Sequence, residues 1–173
     1  MDISQISEQL TETPNQFPGC CLRSLAPFLN ALITLLPKLP HYTLSIGSGS
    51  GLLEGLITYR DADTVVEGVE VNSSVNRFVP EEAMHVVGGA WGLCPRAKDA
   101  AAWMFVYPRD PRLVAKYLDQ YGDGAVEVVL WLRAGIRLGG LRGVFCWVGV
   151  SEIRVLEGIG LAPYEAALLA RRP

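Results

Sequence analysis

The 173-residue sequence is poor in charge and has no excess of positive sign. Charged side chains are 19% of the residues, and 15 Lys and Arg stand against 18 Asp and Glu, for a net charge of −3. Binding to nucleic acid or anionic lipid leans on clustered Lys and Arg, so neither is an expected partner. Histidine is scarce, with only His41 and His85, and the four cysteines (Cys20, Cys21, Cys94 and Cys146) include no Cys-x-x-Cys pair. A zinc site draws on such spacings, and no metal is expected. No apolar run reaches the ~20 residues that span a bilayer. No basic stretch precedes an apolar one at the start, so export is not indicated and a cytoplasmic setting with reduced thiols is expected. The adjacent Cys20 and Cys21 are then either a redox pair or idle thiols. Neither an internal repeat nor a low-complexity tract is visible.

Half of the residues are apolar, enough for a sizeable core in one domain over residues 1–173. Within it, residues 1–40 read as an N-terminal lid and helix and residues 41–173 as the core. The organising stretch is YTLSIGSGSG, residues 42–51. A short β-prone run stops there in three glycines at alternate positions, Gly47, Gly49 and Gly51. Leu52, Leu53, Leu56 and Ile57 follow at helical spacing. The unit is strand, glycine turn, helix. Alternating glycines allow positive φ and take every Cβ out of the turn, so N–H groups at the helix start can approach a ligand closely.

Spacing excludes several ligands for such a turn. The dinucleotide pattern needs glycine at the first, third and sixth positions, but the sixth is Leu52 or Glu54. A P-loop needs Gly-Lys-Ser/Thr, and no lysine follows. Neither Ser48 nor Ser50 has glycines two residues away on both sides, so no nucleophile elbow is present. A second β-prone run, TVVEGVEV at residues 64–71, carries Glu70 near its end. That is about 20 residues past the turn, the place of a ribose-binding acid in nucleotide-binding βαβ units. A right-handed crossover sets both strand ends on one crevice.

These residues together resemble the class I S-adenosylmethionine-dependent methyltransferases. The first motif of that family is a strand running into Gly-x-Gly-x-Gly, here Gly47, Gly49 and Gly51, and the second is an acid ending the next strand, here Glu70. The resemblance implies S-adenosylmethionine as cofactor, with Ser45, Gly47, Ser48, Gly49, Gly51, Glu70, Gly89 and Trp91 as binding residues. Two family acids are replaced: Ser45 stands two residues before the first glycine, and Gly89 stands after the third strand, where an acid commonly binds the adenine amino group. Trp91 is either a stacking face for adenine or core.

The remaining chain supplies the rest of the architecture. Residues 3–10 suggest a short helix, followed by a segment that is either a lid over the cofactor, as the resemblance implies, or a disordered end. Leu25, Phe28, Leu29, Leu32, Leu35 and Leu36 form a helical stripe after a Ser24 N-cap, with Pro27 in the first turn. A short helix through Val75, Phe78 and Val79 is expected after an Asn72 cap, then a third strand at residues 84–87. His85 within it is either a structural histidine or a catalytic base. Residues 100–107, AAAWMFVY, are nearly continuous apolar sequence, as a parallel strand covered on both faces should be. The strand ends in YPRDP, residues 107–111, at the place of the family's fourth motif. Tyr107 replaces the amide or carboxylate that orients an amine, which points away from an amino target. Tyr107, His85 and Asp110 are the candidate bases for a hydroxyl acceptor, and Tyr107 and Arg109 the candidate substrate contacts. Asp110 before Pro111 also fits a helix cap.

A helix over residues 112–121, a strand over 125–132 and a glycine- and arginine-rich stretch (Arg133, Arg137, Arg142) come next. Residues 144–148 read as helix or strand, and the fold requires a helix. The tail, residues 152–159 and 164–172, reads as two strands, like the antiparallel hairpin that ends these methyltransferases. The expectation is an α/β three-layer sandwich with a seven-stranded, mostly parallel sheet and an antiparallel C-terminal hairpin strand. The expected function is methyl transfer to a small-molecule acceptor, at oxygen or another non-amine nucleophile, by a chain for which a homodimer is a compatible assembly. The alternative is a catalytically inactive methyltransferase-like scaffold or partner subunit.

Overall fold

The computed structural model describes residues 2–10, 15–16, 23–24, 26–134 and 149–173. Cys20, Cys21, Cys146, Arg137, Arg142, the stretch 144–148, the side chain of Ser24 and most of the segment expected to form a lid lie outside the described residues. The elements in chain order are α1 (Ile3–Gln9), β1 (Asn15–Gln16), β2 (Arg23–Ser24), α2 (Ala26–Leu35), β3 (Tyr42–Ile46), α3 (Leu52–Arg60), β4 (Val65–Glu70), β5 (Met84–Val86), β6 (Ala102–Val106), α4 (Arg112–Tyr121), β7 (Val128–Ala134), β8 (Glu152–Leu156) and β9 (Glu165–Arg171).

Seven strands form one sheet in the order β5-β4-β3-β6-β7-β9-β8, and β1 and β2 pair separately. The first five strands of that order run parallel. β9 is antiparallel to both β7 and β8, so the C-terminal hairpin places one reversed strand in the sheet. The Ala-rich tail is strand despite its helix propensity because Ala166, Ala167 and Ala170 sit in ladders with β7 and β8; tertiary pairing overrides propensity here.

The apolar strands are covered on both sides, with the period of two that a pleated strand imposes. Ala102 and Met104 of β6, Leu130 and Leu132 of β7, and Ala167 and Leu169 of β9 join α1, α2 and α3 in one core cluster. Trp103 and Phe105, Val129 and Trp131, and Leu168 and Ala170 join Val114, Tyr117 and Leu118 of α4 in the other. The result is a three-layer α/β sandwich. Ile6 and Leu10 at the N-terminus are buried in the first cluster.

Between β4 and β5 the expected short helix through Val75, Phe78 and Val79 is a single 3-10 turn at Ser73–Val75, capped by Asn72 as anticipated. The chain leaves helical geometry because the amides of Arg77 and Phe78 both donate to the Ser50 carbonyl, at 2.9 and 3.2 Å. The Asn76 side chain then holds both the N–H and the carbonyl of Val79. A second 3-10 turn, Glu81–Ala83, leads into β5, and the crossover from β5 to β6 carries one, Pro95–Lys98. Among the described residues no helix is long and apolar enough to cross a membrane.

Candidate functional site

The site forms where β3, β4 and β6 end. Gly47, Gly49 and Gly51 all have positive φ, 80°, 58° and 74°, a region that costs a side-chain-bearing residue about 1–2 kcal/mol. The turn is tied to β4: Gly47 N–H donates to the Val69 carbonyl at 2.9 Å, and Gly49 N–H donates to Glu70 Oε1 at 2.7 Å. The other oxygen, Glu70 Oε2, accepts from Val71 N–H at 3.1 Å. The Glu70 carboxylate is thus fixed against the main chain of the turn at the mouth of the sheet.

The three glycines answer to different demands. A Cβ at Gly47 or Gly49 would meet nothing within 4 Å, whereas one at Gly51 would lie 2.5 Å from Val79 Cγ2 and 2.9 Å from Asn76 Oδ1. Gly47 and Gly49 face open space, and Gly51 is forced by the segment seated on it. That space is a cavity of about 590 Å³, within the size range of small-molecule sites. Gly47, Gly49, Glu70, Gly89, Trp91, Tyr107, Arg109 and Asp110 line it, together with Val71, Val87 and Leu113.

The other residues singled out from the sequence lie elsewhere. Ser48 turns its hydroxyl toward the sheet, 3.9 Å from Met84 Sδ. Ser45 is fully buried and donates to Glu54 Oε1 at 2.5 Å. His85 lines a separate open cleft with Cys94, Arg96 and Lys98. Its Nε2 is 2.7 Å from Glu67 Oε2, and Arg96 clasps the same carboxylate through two nitrogens. Burial alone would raise the Glu67 pKa, but Arg96 and His85 outweigh it and hold the carboxyl below its ordinary value. His85 is therefore occupied away from the cavity.

Among the residues at the cavity, Asp110 serves the start of α4. Its carboxylate accepts from Arg112 N–H at 2.9 Å and from the Arg112 guanidinium, which lowers its pKa and makes it a weak base. The same guanidinium lies 5.5 Å over the Trp91 ring, and Lys116 Nζ donates to the Trp91 carbonyl at 2.7 Å. Trp91, 43% exposed, is thereby held as a wall of the cavity rather than in the core. Tyr107 is the described non-glycine residue with positive φ, 49°, a strained conformation of the kind that concentrates at functional sites. Its hydroxyl donates to Glu165 Oε1 at 2.8 Å, and Glu165 Oε2 accepts from Ala162 N–H at 3.3 Å. The C-terminal hairpin thus fixes the ring.

Four residues at or behind the site escaped the sequence reading. Val71, Val87 and Leu113 supply apolar wall without any motif to mark them. Glu54, in the first turn of α3, is 2% exposed, and burial pushes its pKa up to about 7, partly offset by the Ser45 hydrogen bond. An acid following a glycine turn at helix-start spacing, beside a strand that lacks its expected acid, was the available signal.

Comparison with known proteins rests on structure, because no protein-family model matches the sequence and no curated protein matches it. The mitomycin 7-O-methyltransferase MmcR superposes with a TM-score of 0.60 at 12% identity, over 87% of this chain and 55% of that one. Human N-acetylserotonin methyltransferase, solved in complex with S-adenosylmethionine, gives 0.54 at 14% identity over 84% and 50%. A methyltransferase from Archaeoglobus fulgidus gives 0.57 at 13% identity over 83% and 92%. The chain spans about half the length of MmcR, of the human enzyme and of SibL, another S-adenosylmethionine-dependent methyltransferase of similar structure. At these identities the likeness is one of architecture: the chain has the class I, Rossmann-like methyltransferase fold.

Proposed function

We propose that the chain binds S-adenosylmethionine in the cavity above Gly47 and Gly49 and transfers its methyl group to a small-molecule acceptor, at oxygen or another non-amine nucleophile. The observation that carries the reading is the convergence of bare main chain at Gly47 and Gly49 with the Glu70 carboxylate on one cavity. The residues fit the ligand's chemistry. A carboxylate accepts from two vicinal ribose hydroxyls, Trp91 and Val71 offer faces for a flat base, and the open Cβ directions leave room for the chain carrying the sulfur.

When bound, the cofactor supplies a methyl group on a sulfonium, an electrophile whose leaving group is a neutral thioether that needs no proton. The protein's part is therefore mainly alignment, which can lower a barrier by about 7–11 kcal/mol when the reacting atoms are held in line. Tyr107, its ring fixed by Glu165 and its backbone strained, lines the cavity at the end of β6, on the other side of β3 from the strand that carries Glu70, and this is the side assigned to the acceptor. With Asp110 held by Arg112 and His85 by Glu67, Tyr107 is the candidate to take an acceptor hydroxyl's proton while passing its own along its hydrogen bond to the Glu165 carboxylate. Arg109, exposed at the rim, suits an acceptor carboxylate. An amine acceptor is disfavoured because neither an amide nor a carboxylate stands at residue 107. In support, MmcR is by name an O-methyltransferase and shares the architecture.

Calorimetric titration with S-adenosylmethionine, S-adenosylhomocysteine and NAD tests this. The first two should bind in the micromolar range and NAD should not. Glu70→Ala should remove binding, since it deletes the acceptor for the diol and the anchor of Gly49 N–H. Absence of binding by the wild-type protein refutes the enzymatic reading and leaves a scaffold.

A further inference from the structure

Glu54 is a buried acid that the reading above does not use. It stands at the third helical position of α3, directly behind the glycine turn, and is 2% exposed. Ser45 Oγ donates to its Oε1 at 2.5 Å, from the strand position two residues before Gly47. Its Oε2 has no hydrogen-bond partner on any other described residue, and apart from Ser45 only its own backbone N–H favours the charged form. Buried polar oxygens in folded proteins are normally satisfied, so an orphaned carboxylate oxygen behind a ligand-binding turn points to a charge that arrives with the ligand. The elements packed against α3, namely α1, α2 and β4, bring one charged group to bear on it among the described residues, Glu70 at the end of β4. No described cation neutralises it.

We infer that Glu54, set against Ser45 behind the turn, makes this site distinguish a cationic sulfonium ligand from the neutral thioether left after methyl transfer. This rests on the proposed function. Methyl transfer breaks the S–CH3 bond and leaves the electron pair on sulfur, so the ligand's net charge falls by one while its shape is otherwise kept. Glu70, which lines the cavity, already acts electrostatically on Glu54, so a sulfonium beside Glu70 stabilises the ionised form of Glu54 over a similar reach, and its thioether product withdraws that stabilisation. The buried acid then takes up a proton, and the product is held less tightly than the donor. The strand acid of the resembled family is missing at Ser45, and the helix supplies a carboxylate to the same hydroxyl. Its burial places its titration close to neutrality, where a nearby charge has most effect on proton occupancy.

The test is isothermal calorimetry of the wild-type protein with S-adenosylmethionine and S-adenosylhomocysteine, each at pH 6, 7 and 8 in buffers of low and high ionisation heat. At pH 7 the sulfonium ligand should release more protons per site than the thioether. The ratio of their affinities should rise roughly three- to tenfold from pH 6 to pH 8, the range one pKa unit of coupling allows. In Glu54→Gln the two proton counts should coincide and the ratio should become flat. In Ser45→Ala, which removes a donor to the charged form, the rise should move to higher pH. Equal proton release by the two ligands in the wild-type protein overturns the inference even if a variant fails to fold. Failure of both ligands to bind is a different result, and it overturns the proposed function instead.

Discussion

Replacing Gly51 and Gly49 separately by alanine distinguishes a glycine kept for packing from one kept for ligand approach. Both carry positive φ, so each variant meets a backbone term of about 1–2 kcal/mol. At Gly49 nothing more follows, because the new methyl enters open space. At Gly51 the methyl lies 2.5 Å from Val79 Cγ2, 2.9 Å from Asn76 Oδ1 and 3.1 Å from Val79 N. The first of these contacts belongs to a β-branched valine, stiff at χ1 and 5% exposed, and the last is main chain. Asn76 cannot turn aside without releasing both of its bonds to Val79. Overpacking of this kind costs about 1–3 kcal/mol, so Gly51→Ala should lose about 3 kcal/mol in all against about 1 kcal/mol for Gly49→Ala. For a chain of this size that is a fall in Tm of about 6–12 °C against about 2–4 °C. Urea unfolding measures the stabilities, and titration with S-adenosylmethionine measures the site. Gly49→Ala should lose most of its affinity while staying folded, and Gly51→Ala should lose stability first. Equal destabilisation by the two substitutions would show that residues 76–79 do not seat on the turn.

Further outcomes follow from the buried polar groups. Glu54 has a folded-state pKa of about 7 against an ordinary 4.5, so between those values the folded chain holds a proton that the unfolded chain has lost. Its contribution favours folding most below pH 4.5 and declines as pH rises to 7, by about 3 kcal/mol if fully expressed. Glu54→Gln should flatten that part of the stability–pH curve in chemical denaturation, and an unchanged slope refutes the assignment. Tyr117→Phe should cost about 1–2 kcal/mol in the same assay, because the buried Cys94 N–H donates to the Tyr117 hydroxyl at 3.1 Å and would lose that acceptor; a loss below a few tenths would show that the amide finds another acceptor.

The architecture was legible where local pattern and tertiary demand agree. Residues 102–106 are apolar at every position because both faces of β6 are covered, and α4 runs over the predicted 112–121 because Leu113, Val114, Tyr117 and Leu118 make one stripe. The helix expected through Phe78 did not form, since its amides are claimed by the Ser50 carbonyl, a contact no window of sequence displays. The cavity's two poles, the glycines and Glu70, were marked by spacing. His85 was not separable from them in the sequence, because a strand residue's face depends on register, and the pairing of Val69 with His85 and of Gly68 with Met84 is a tertiary fact. Glu54 escaped because its meaning lies in a pair: a serine on a strand and an acid on the following helix, nine residues apart, neither of which signals alone.

The absence of α-helices from both crossovers flanking β5 has a bearing on how a ligand enters. That margin of the sheet is three residues long, pairs on one side only, and has Val86 59% exposed. Its amides should exchange with solvent at a lower free-energy cost than those of β3 or β6, as regions with few buried contacts do. The loop that follows it supplies Val87, Gly89 and Trp91 to the cavity. Transient fraying of this margin would widen the entrance, and a molecule bridging Trp91 to Glu70 would pin it down, so that occupancy and local order rise together.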